Sequence, residues 1–511
     1  MPEQNSALST KMREVVAIDG ESIAVEFGGQ SYPWSFIQTA VAQLDSLCAD
    51  HQRGAARGIA VVLRNRPWHV AAVAATVAGG RSLLTLSPFH GDIGLAEDIE
   101  ALRPAVVAAD SEDWVRAGFV EAVQAVGALG LELSKEGPIR LRAGVALPTA
   151  PPDPSAEAAL AGTAVLMMTS GTTGRPKRVP LSYEHFTTSL ENSATGAGPS
   201  IPAKRRDRTD IVWTPMVHIG GLFFIVVGLL EGKTIALLER FAVEPWMELV
   251  RQHRPVIVSL VPTALKMVLD ANVPVDVFEG VRAARSGTAP LDPAVAAEFE
   301  RRYSIPVLTN YGATEFAGAV TRWTLKEREE WGNRKTGSVG RAAQGVEMRV
   351  ADAASGAIVG PGEIGILHVR GGQVPPADGD GWTRTSDLAS IDADGFLYIH
   401  GRADDAVIRG GFKIVPSVVE EALRTHPSVA DAAVTGLAHP RLGAVPVAAV
   451  TLRPATEAPT EAALLEWVTS RLARYQVPVA VKVVEALPRT PSMKVSRPAL
   501  KALFDGLELR D

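Results

Sequence analysis

Three short apolar runs, IAVVL (59–63), SLLTL (82–86) and AVVAA (105–109), follow one another closely, and they constrain the fold more than any other feature. A strand that is apolar throughout must be covered on both faces, and helices crossing between parallel strands provide that cover. The spacing predicts a strand at Val61–Leu63, a helix over Trp68–Ala78 and a stop at Gly79-Gly80. A second strand follows over Ser82–Leu86, ending at Ser87-Pro88, and a third over Ala105–Ala109. Strand, helix and strand with glycine stops read as a parallel sheet wound with helices, an α/β fold.

The alternation resumes beyond a Pro-rich stretch, LPTAPPDPSAE (Leu147–Glu157), which reads as a surface linker between subdomains. VIVSLV (Val256–Val261) predicts a strand, a helix starts at Ala264, and IPVLT predicts a strand just before Tyr311. Near residue 400 the texture changes. FLYIHGR (Phe396–Arg402) runs as a strand into a charged turn, Ala403-Asp404-Asp405. Beyond it lie two further strands, VADAAV and VAAVTL, and an amphipathic helix around Leu465, Val468 and Leu472. The expected organisation is a large N-terminal domain of wound αβ subdomains over residues 1–403, with its linker near 147–157, and a small α+β domain over 404–511.

Composition removes whole classes of function. Hydrophobic residues make up 46% of the 511 and charged residues 21%, too apolar for a disordered chain. The net charge of −6, without a long basic run, argues against nucleic acid as the main partner. Cys48 is the single cysteine, so neither an internal disulfide nor a cysteine metal cluster can form. The N-terminal MPEQNSALSTKMREVV lacks the apolar core of a secretory leader. The longest apolar run, Ile219–Leu230, is shorter than the ~18 residues that span a bilayer. A cytoplasmic protein with no transmembrane segment is expected.

The strongest chemical signal is AVLMM-TSGTTGRPK, ending at Lys177, in which an apolar strand runs into four hydroxyls (Thr169, Ser170, Thr172, Thr173) and two glycines (Gly171, Gly174). Glycines let backbone N–H groups turn toward an anion and hydroxyls add donors, so the loop suits phosphate. Its GxxGxxK spacing differs from the GxxxxGK[ST] of P-loop NTPases. A hydrated Thr/Ser/Gly surface loop is the alternative. Asn310-Tyr311-Gly312-Ala313-Thr314-Glu315 follows an apolar strand and sets a hydroxyl beside a carboxylate, a donor set suited to Mg²⁺. Asp387 could accept from ribose hydroxyls, and Arg402 could support phosphate. Lys494 stands in a Pro- and Ser-rich loop, LPRTPSMKVSR. Taken singly, each of these has a structural explanation as a solvated carboxylate, a salt bridge or a surface lysine.

In this order and at these separations, the clusters resemble the adenylate-forming superfamily of acyl-CoA synthetases, peptide-synthetase adenylation domains and beetle luciferases, over roughly residues 160–500. The resemblance implies that Thr169, Ser170, Gly171, Thr172, Thr173, Gly174 and Lys177 wrap the β- and γ-phosphates of ATP. It implies that Asn310, Tyr311 and Gly312 border the adenine, with Tyr311 stacking there, that Thr314 meets the α-phosphate and that Glu315 holds Mg²⁺. Asp387 and Arg402 would hold the ribose, and the segment Ser286, Gly287, Thr288, Ala289, Pro290 would line adenine and the acid pocket. The family usually has Gly or Ala where Thr288 stands, and often Gly where Met493 precedes the lysine. Glycine takes positive φ cheaply and methionine does not.

The implied reaction has two halves. A carboxylate attacks the α-phosphate to give acyl-AMP and pyrophosphate; two anions must meet, so a cation is needed between them, and Lys494 matches the family lysine that supplies it. A thiol then attacks the acyl-AMP. The resemblance implies that the C-terminal domain is mobile and rotates about Asp404 between the halves, while Gly410, Gly411, Phe412 and Lys413 line the CoA tunnel. The window Thr214–Phe224 carries no acid to pair with an α-ammonium, and its His218 resembles the acyl-CoA synthetase gate. The expected activity is therefore an ATP-dependent carboxylic acid–CoA ligase, with ATP and CoA as substrates and Mg²⁺ as cofactor; a homodimer is compatible with it. An acyl-AMP ligase that loads a carrier protein, and a non-catalytic adenylate-binding protein, are the competing readings. The basic stretch Lys204-Arg205-Arg206-Asp207-Arg208 reads as a solvated loop rather than a site for the CoA 3′-phosphate.

Overall fold

A computed structural model of the protein describes residues 6–54, 56–169, 177–193, 198–376, 379–403, 405–409, 412–454, 456–490 and 493–507. The chain forms two compact units, one of Met1–Ser170, Pro176–Val346 and Arg370–Pro375, the other of Gly171–Arg175, Glu347–Val369 and Pro376–Asp511.

The first unit contains the wound sheet that the apolar runs predict. Its seven strands lie in the order Arg140–Leu141, Leu129–Leu133, Val106–Asp110, Gly58–Val62, Ser82–Leu86, Thr163–Thr169, Lys177–Ser182. The five inner strands are parallel, with Val61 opposite Thr85 on one side and Ala108 on the other, while the two edge strands run antiparallel. The helix predicted at Trp68–Ala78 spans Pro67–Ala78, one residue earlier because Pro67 occupies the first turn, where its missing N–H costs nothing. Every residue of this helix except Trp68 is buried. Five alanines (71, 72, 74, 75 and 78) let it be enclosed. It packs against the helices Ala7–Ala17, Trp34–Asp50 and Ile219–Leu230.

A four-stranded sheet orders Thr209–Val212, Thr234–Leu237, Ile23–Phe27 and Gln30–Pro33. A separate parallel sheet orders Ile257–Ser259, Ala283–Ser286 and Val307–Thr309. The Pro-rich stretch is irregular up to Asp153, whose side chain then caps the short helix Pro154–Ala159 by accepting from Ser155 N (2.8 Å) and Ala156 N (3.2 Å). The apolar run Ile219–Leu230 is a single helix, and among the described residues no helix is long and apolar enough to cross a membrane.

In the second unit, Gly365–Gly371, Thr383–Ile391 and Leu397–Arg402 pair antiparallel in sequence order. A further sheet is built on the long hairpin Val429–His439 with Gly443–Leu452, which Ala480–Val483 joins in parallel. The helices Pro416–Arg424 and Glu461–Thr469 bury Val419, Leu423, Leu464 and Val468 in its core. The expected helical pattern Leu465, Val468, Leu472 extends too far: the helix stops at Thr469, and Leu472 lies in the turn beyond it, where it still packs on the core.

Candidate active site

In the first unit, the candidate residues gather beyond the carboxyl ends of the parallel strands Ala283–Ser286 and Val307–Thr309, where open α/β sheets bind ligands. Two loops leave these ends. Asn310 donates its N–H to Ser286 O (3.1 Å), and its amide lies so close to Gly287 that a Cβ there would stand 2.4 Å from Asn310 Oδ1. A Cβ at this position would force the Asn310 amide aside. Tyr311 is fixed through its backbone: its N–H donates to Thr321 Oγ1 (2.9 Å), whose hydroxyl donates to Val339 O (2.7 Å). The half-buried Tyr311 ring lies 6.4 Å from the buried Phe316.

Gly312–Ala313 pairs antiparallel with Gly318–Ala319, and a Cβ on Gly312 would lie 2.2 Å from Gly318 O, so the hairpin closes only around a glycine. The single 3-10 turn Thr314–Phe316 at its tip points Phe316 inward and leaves Thr314 half-buried and Glu315 exposed. Ala317 closes the turn at φ 55, and its carbonyl accepts from the buried Ser189 hydroxyl (2.9 Å).

Thr288 departs from ordinary backbone, with φ +70 in the left-handed region that β-branched residues avoid. Its methyl carbon lies 3.7 Å from where a Cβ on Gly220 would stand, so this loop meets the start of the helix Ile219–Leu230. His218 caps that helix in extended conformation and is half-buried, its carbonyl accepting from Gly221 N (3.1 Å) and Leu222 N (3.0 Å). The turn before it needs Gly221, since a Cβ there would lie 2.3 Å from Pro215 O. The structure thus brings His218, Thr288 and the Gly312–Ala319 hairpin around one helix start, Phe223 approaching Gly318 from the same helix. Ala289 and Pro290 continue the Thr288 loop.

Thr169 ends its strand opposite Lys177, the exposed first residue of the next strand. Ser170, Gly171, Thr172, Thr173 and Gly174 lie outside the described residues.

In the second unit, Asp387 and Arg402 face each other across the antiparallel pair Thr383–Ile391 and Leu397–Arg402. Asp387 N donates to Thr385 Oγ1 (3.0 Å), and the Arg402 guanidinium donates to Ser386 Oγ. Beside them His400 is half-buried, bonded to Ser390 Oγ at 2.8 Å, and burial pushes its pKa below the usual imidazole value.

The lysine loop is tightly built. Thr490 N donates to Lys494 O (2.7 Å), Met493 N donates to Thr490 O (2.8 Å), and Arg489 donates to Met493 O (2.9 Å). Met493 takes φ +64, the conformation that glycine would adopt freely, so the loop keeps the glycine-type backbone without the glycine. Lys494 itself is exposed. Phe412 is exposed and stacks on Tyr475 (4.7 Å, 21°), and the Lys413 backbone pairs with Ile408. Asp404, Gly410, Gly411 and the Lys413 side chain lie outside the described residues.

One arginine differs from its sequence reading, and a second was not read at all. Arg205 is not solvated: its guanidinium lies 3.7 Å above the Trp34 ring and donates to Asp19 O (2.8 Å), and burial pushes its pKa down to about 10 against the pull of Asp19. Local sequence could not show Trp34, which arrives from far away in the chain. Sequence reasoning also passed over Arg285, a charge inside the otherwise uncharged, buried strand Ala283–Ser286, whose guanidinium faces Phe224 at 5.4 Å. A charged residue within a buried four-residue strand was the available signal.

For Mg²⁺, Glu315 and Thr314 are hard oxygen donors, one of them exposed at a loop tip. Among the described residues no three His, Cys, Asp or Glu side chains cluster into a cage. One carboxylate plus substrate phosphates is how Mg²⁺ is commonly held, so the residues fit it.

Family models for "AMP-binding enzyme" and "AMP-binding enzyme C-terminal domain" match residues 12–376 and 418–494. The chain is 34% identical over 365 residues to the 2-succinylbenzoate–CoA ligase of Bacillus velezensis, covering 69% of this chain and 72% of that one. It is 33% identical over 370 residues to the sulfoacetate–CoA ligase of Cupriavidus necator, covering 69% and 68%. Among solved structures it resembles ATP-bound MatB from Rhodopseudomonas palustris (TM-score 0.82, 25% identity, 98% of this chain and 99% of that). It also resembles the O-succinylbenzoate coenzyme A synthetase of Bacillus subtilis in complex with ATP and magnesium ion (TM-score 0.76, 26% identity, 98% and 99%).

Proposed function

Since this chain belongs to the AMP-binding enzyme family and is an AMP-forming acid–CoA ligase, we propose that it activates a carboxylic acid lacking an α-ammonium group, with ATP, Mg²⁺ and CoA, through the residues singled out above. The observation that carries the residue assignment is the lysine loop: Lys494 is exposed at the end of a loop held by Thr490 and Arg489, on a backbone at φ +64 maintained without glycine. Strained backbone of this kind persists where the surrounding structure over-determines it, and it clusters at functional sites.

Thr169 to Gly174 with Lys177 take the β- and γ-phosphates, Tyr311 the adenine and Thr314 the α-phosphate. Glu315 holds the Mg²⁺, which when bound offsets phosphate charge. Asp387 and Arg402 hold the ribose, and Lys494 places its ammonium between the attacking carboxylate and the α-phosphate. His218, at the start of an apolar helix with no acid in its window, borders the acid. The names of the relatives, 2-succinylbenzoate and sulfoacetate, denote acids without an amino group and support that reading. Asp404 serves as the hinge, and Gly410, Gly411, Phe412 and Lys413 receive the thiol arm of CoA.

The test separates the halves. Lys494→Ala should lower acyl-AMP formation by roughly 10²–10³, the worth of one preorganised contact to the transition state. Thioester formation from supplied acyl-AMP should be little changed. Equal loss in both halves would overturn the assignment.

A further inference from the structure

One cation in the first unit is used neither by the fold nor by the adenylate chemistry. Arg285 stands in the strand Ala283–Ser286, between Ser259 and Leu308 of its neighbours. Ala283 and Ala284 are fully buried and Ser286 nearly so, whereas Arg285 is half-buried. Its guanidinium carbon lies 5.4 Å from the centroid of the Phe224 ring. Among the described residues no carboxylate lies within ion-pair distance of it. The acid whose charge supports it, Asp210, is bound to Lys233 at 3.0 Å, and Lys233 also holds Glu231 at 2.6 Å. Burial therefore opposes the charge on Arg285 more strongly than Asp210 supports it.

Its position is informative. Gly220 and Phe224 are four residues apart on one face of the helix Ile219–Leu230. Gly220 meets the Thr288 methyl and Phe224 meets Arg285, so helix and strand descend together. The guanidinium and the Thr288 methyl therefore meet the same helix face, at residues one turn apart. A half-buried cation with no carboxylate partner among the described residues, packed on the helix that begins at His218 and meets Thr288, suits an anion.

We propose that the acid activated by this ligase carries a second anionic group, a carboxylate or sulfonate, which Arg285 binds as a fork while Phe224 supports the guanidinium face. This rests on the ligase reading above and specifies its substrate class. No covalent step is added: the second group is recognised and leaves the reaction unchanged.

The experiment measures CoA-dependent AMP release by the full chain on acids matched in length, one of each set ending in a methyl, one in a carboxylate and one in a sulfonate. The wild type should favour a dianionic acid by on the order of 10²-fold or more in kcat/KM, because a site built for a polar group rejects the analogue that lacks it. The carboxylate and sulfonate arms identify which anion. Arg285→Met should collapse that ratio, and Arg285→Lys, which keeps the charge without the fork, should retain part of it and serve as the control for folding. A wild type that prefers the methyl-ended acids, or a ratio unmoved by either substitution, overturns the proposal while leaving the ligase intact. If no acid releases AMP, the ligase reading fails on that panel. Calorimetric binding of the same acids beside α,β-methylene-ATP then decides the inference, which falls if the dianionic acids bind no more tightly.

Discussion

Thr288→Gly should stabilise the protein. At φ +70 a residue with a Cβ crowds the following carbonyl, at a cost of ~1–2 kcal/mol, and a β-branched side chain stands at the upper end. Glycine removes that cost but gives back ~0.5–1 kcal/mol through the greater freedom of the unfolded chain. The side chain is exposed, so little packing is lost. The net gain is about 0.5–1 kcal/mol. It should appear as a higher urea midpoint at unchanged m-value, a more sensitive readout in a chain of this size than the melting temperature. Thr288→Ala, which keeps a Cβ at positive φ, should recover less. If Thr288 borders the acid, the glycine variant should also accept bulkier acids, seen as a rise in their kcat/KM relative to slim acids. A loss of 1 kcal/mol or more on Thr288→Gly would refute the reasoning, because it would mean that the threonine side chain holds this loop more than its backbone strains it.

Glu315→Gln keeps size and hydrogen-bonding atoms but removes the charge that holds a hard cation; adenylation should fall by at least tenfold at low Mg²⁺ and recover in part as Mg²⁺ is raised, whereas an unchanged Mg²⁺ dependence would free Glu315 of that role. Burial lowers the pKa of His400, so the unfolded chain takes up a proton there before the folded chain does. Its contribution to stability should be complete above pH 6.5, the ordinary value, and be lost as pH falls through the lowered folded value; His400→Gln should flatten that slope in urea titrations between pH 5 and 8. His426 is shifted the same way by burial and Arg471, so some slope should persist. Cys48 is fully buried and burial raises its thiol pKa, so the native protein should resist thiol-reactive dyes and react only at the rate of unfolding.

What the sequence made legible was whatever short-range pattern determines. The strands at Ser82–Leu86 and Val307–Thr309 and the helix Pro67–Ala78 follow from apolar runs and glycine stops. The strand that ends at Arg402 was readable too, but its antiparallel partner Thr383–Ile391, which sets Asp387 against it, was not. Thr288 and Met493 were visible as departures from a glycine pattern, but local sequence does not say whether backbone or loop gives way. The answer at both is that the backbone keeps its left-handed turn. The partners of Arg205 and the isolation of Arg285 depend on what the fold brings from elsewhere, Trp34 in one case and Phe224 in the other.

The helix Pro67–Ala78 has a consequence for how such an enzyme can acquire new substrates. Enclosed on all sides and spaced by alanines, it has no room for a larger residue, and any growth would push strands apart. Novelty must therefore be written where side chains have more room to change: at Thr288, Ala289 and Pro290, and beside Phe224. A library drawn over those few positions should yield mostly folded variants with altered acid preference, while the same diversity placed in the helix should yield mostly insoluble protein. The architecture separates a region that must stay small from one that is free to vary, and that separation makes the scaffold evolvable.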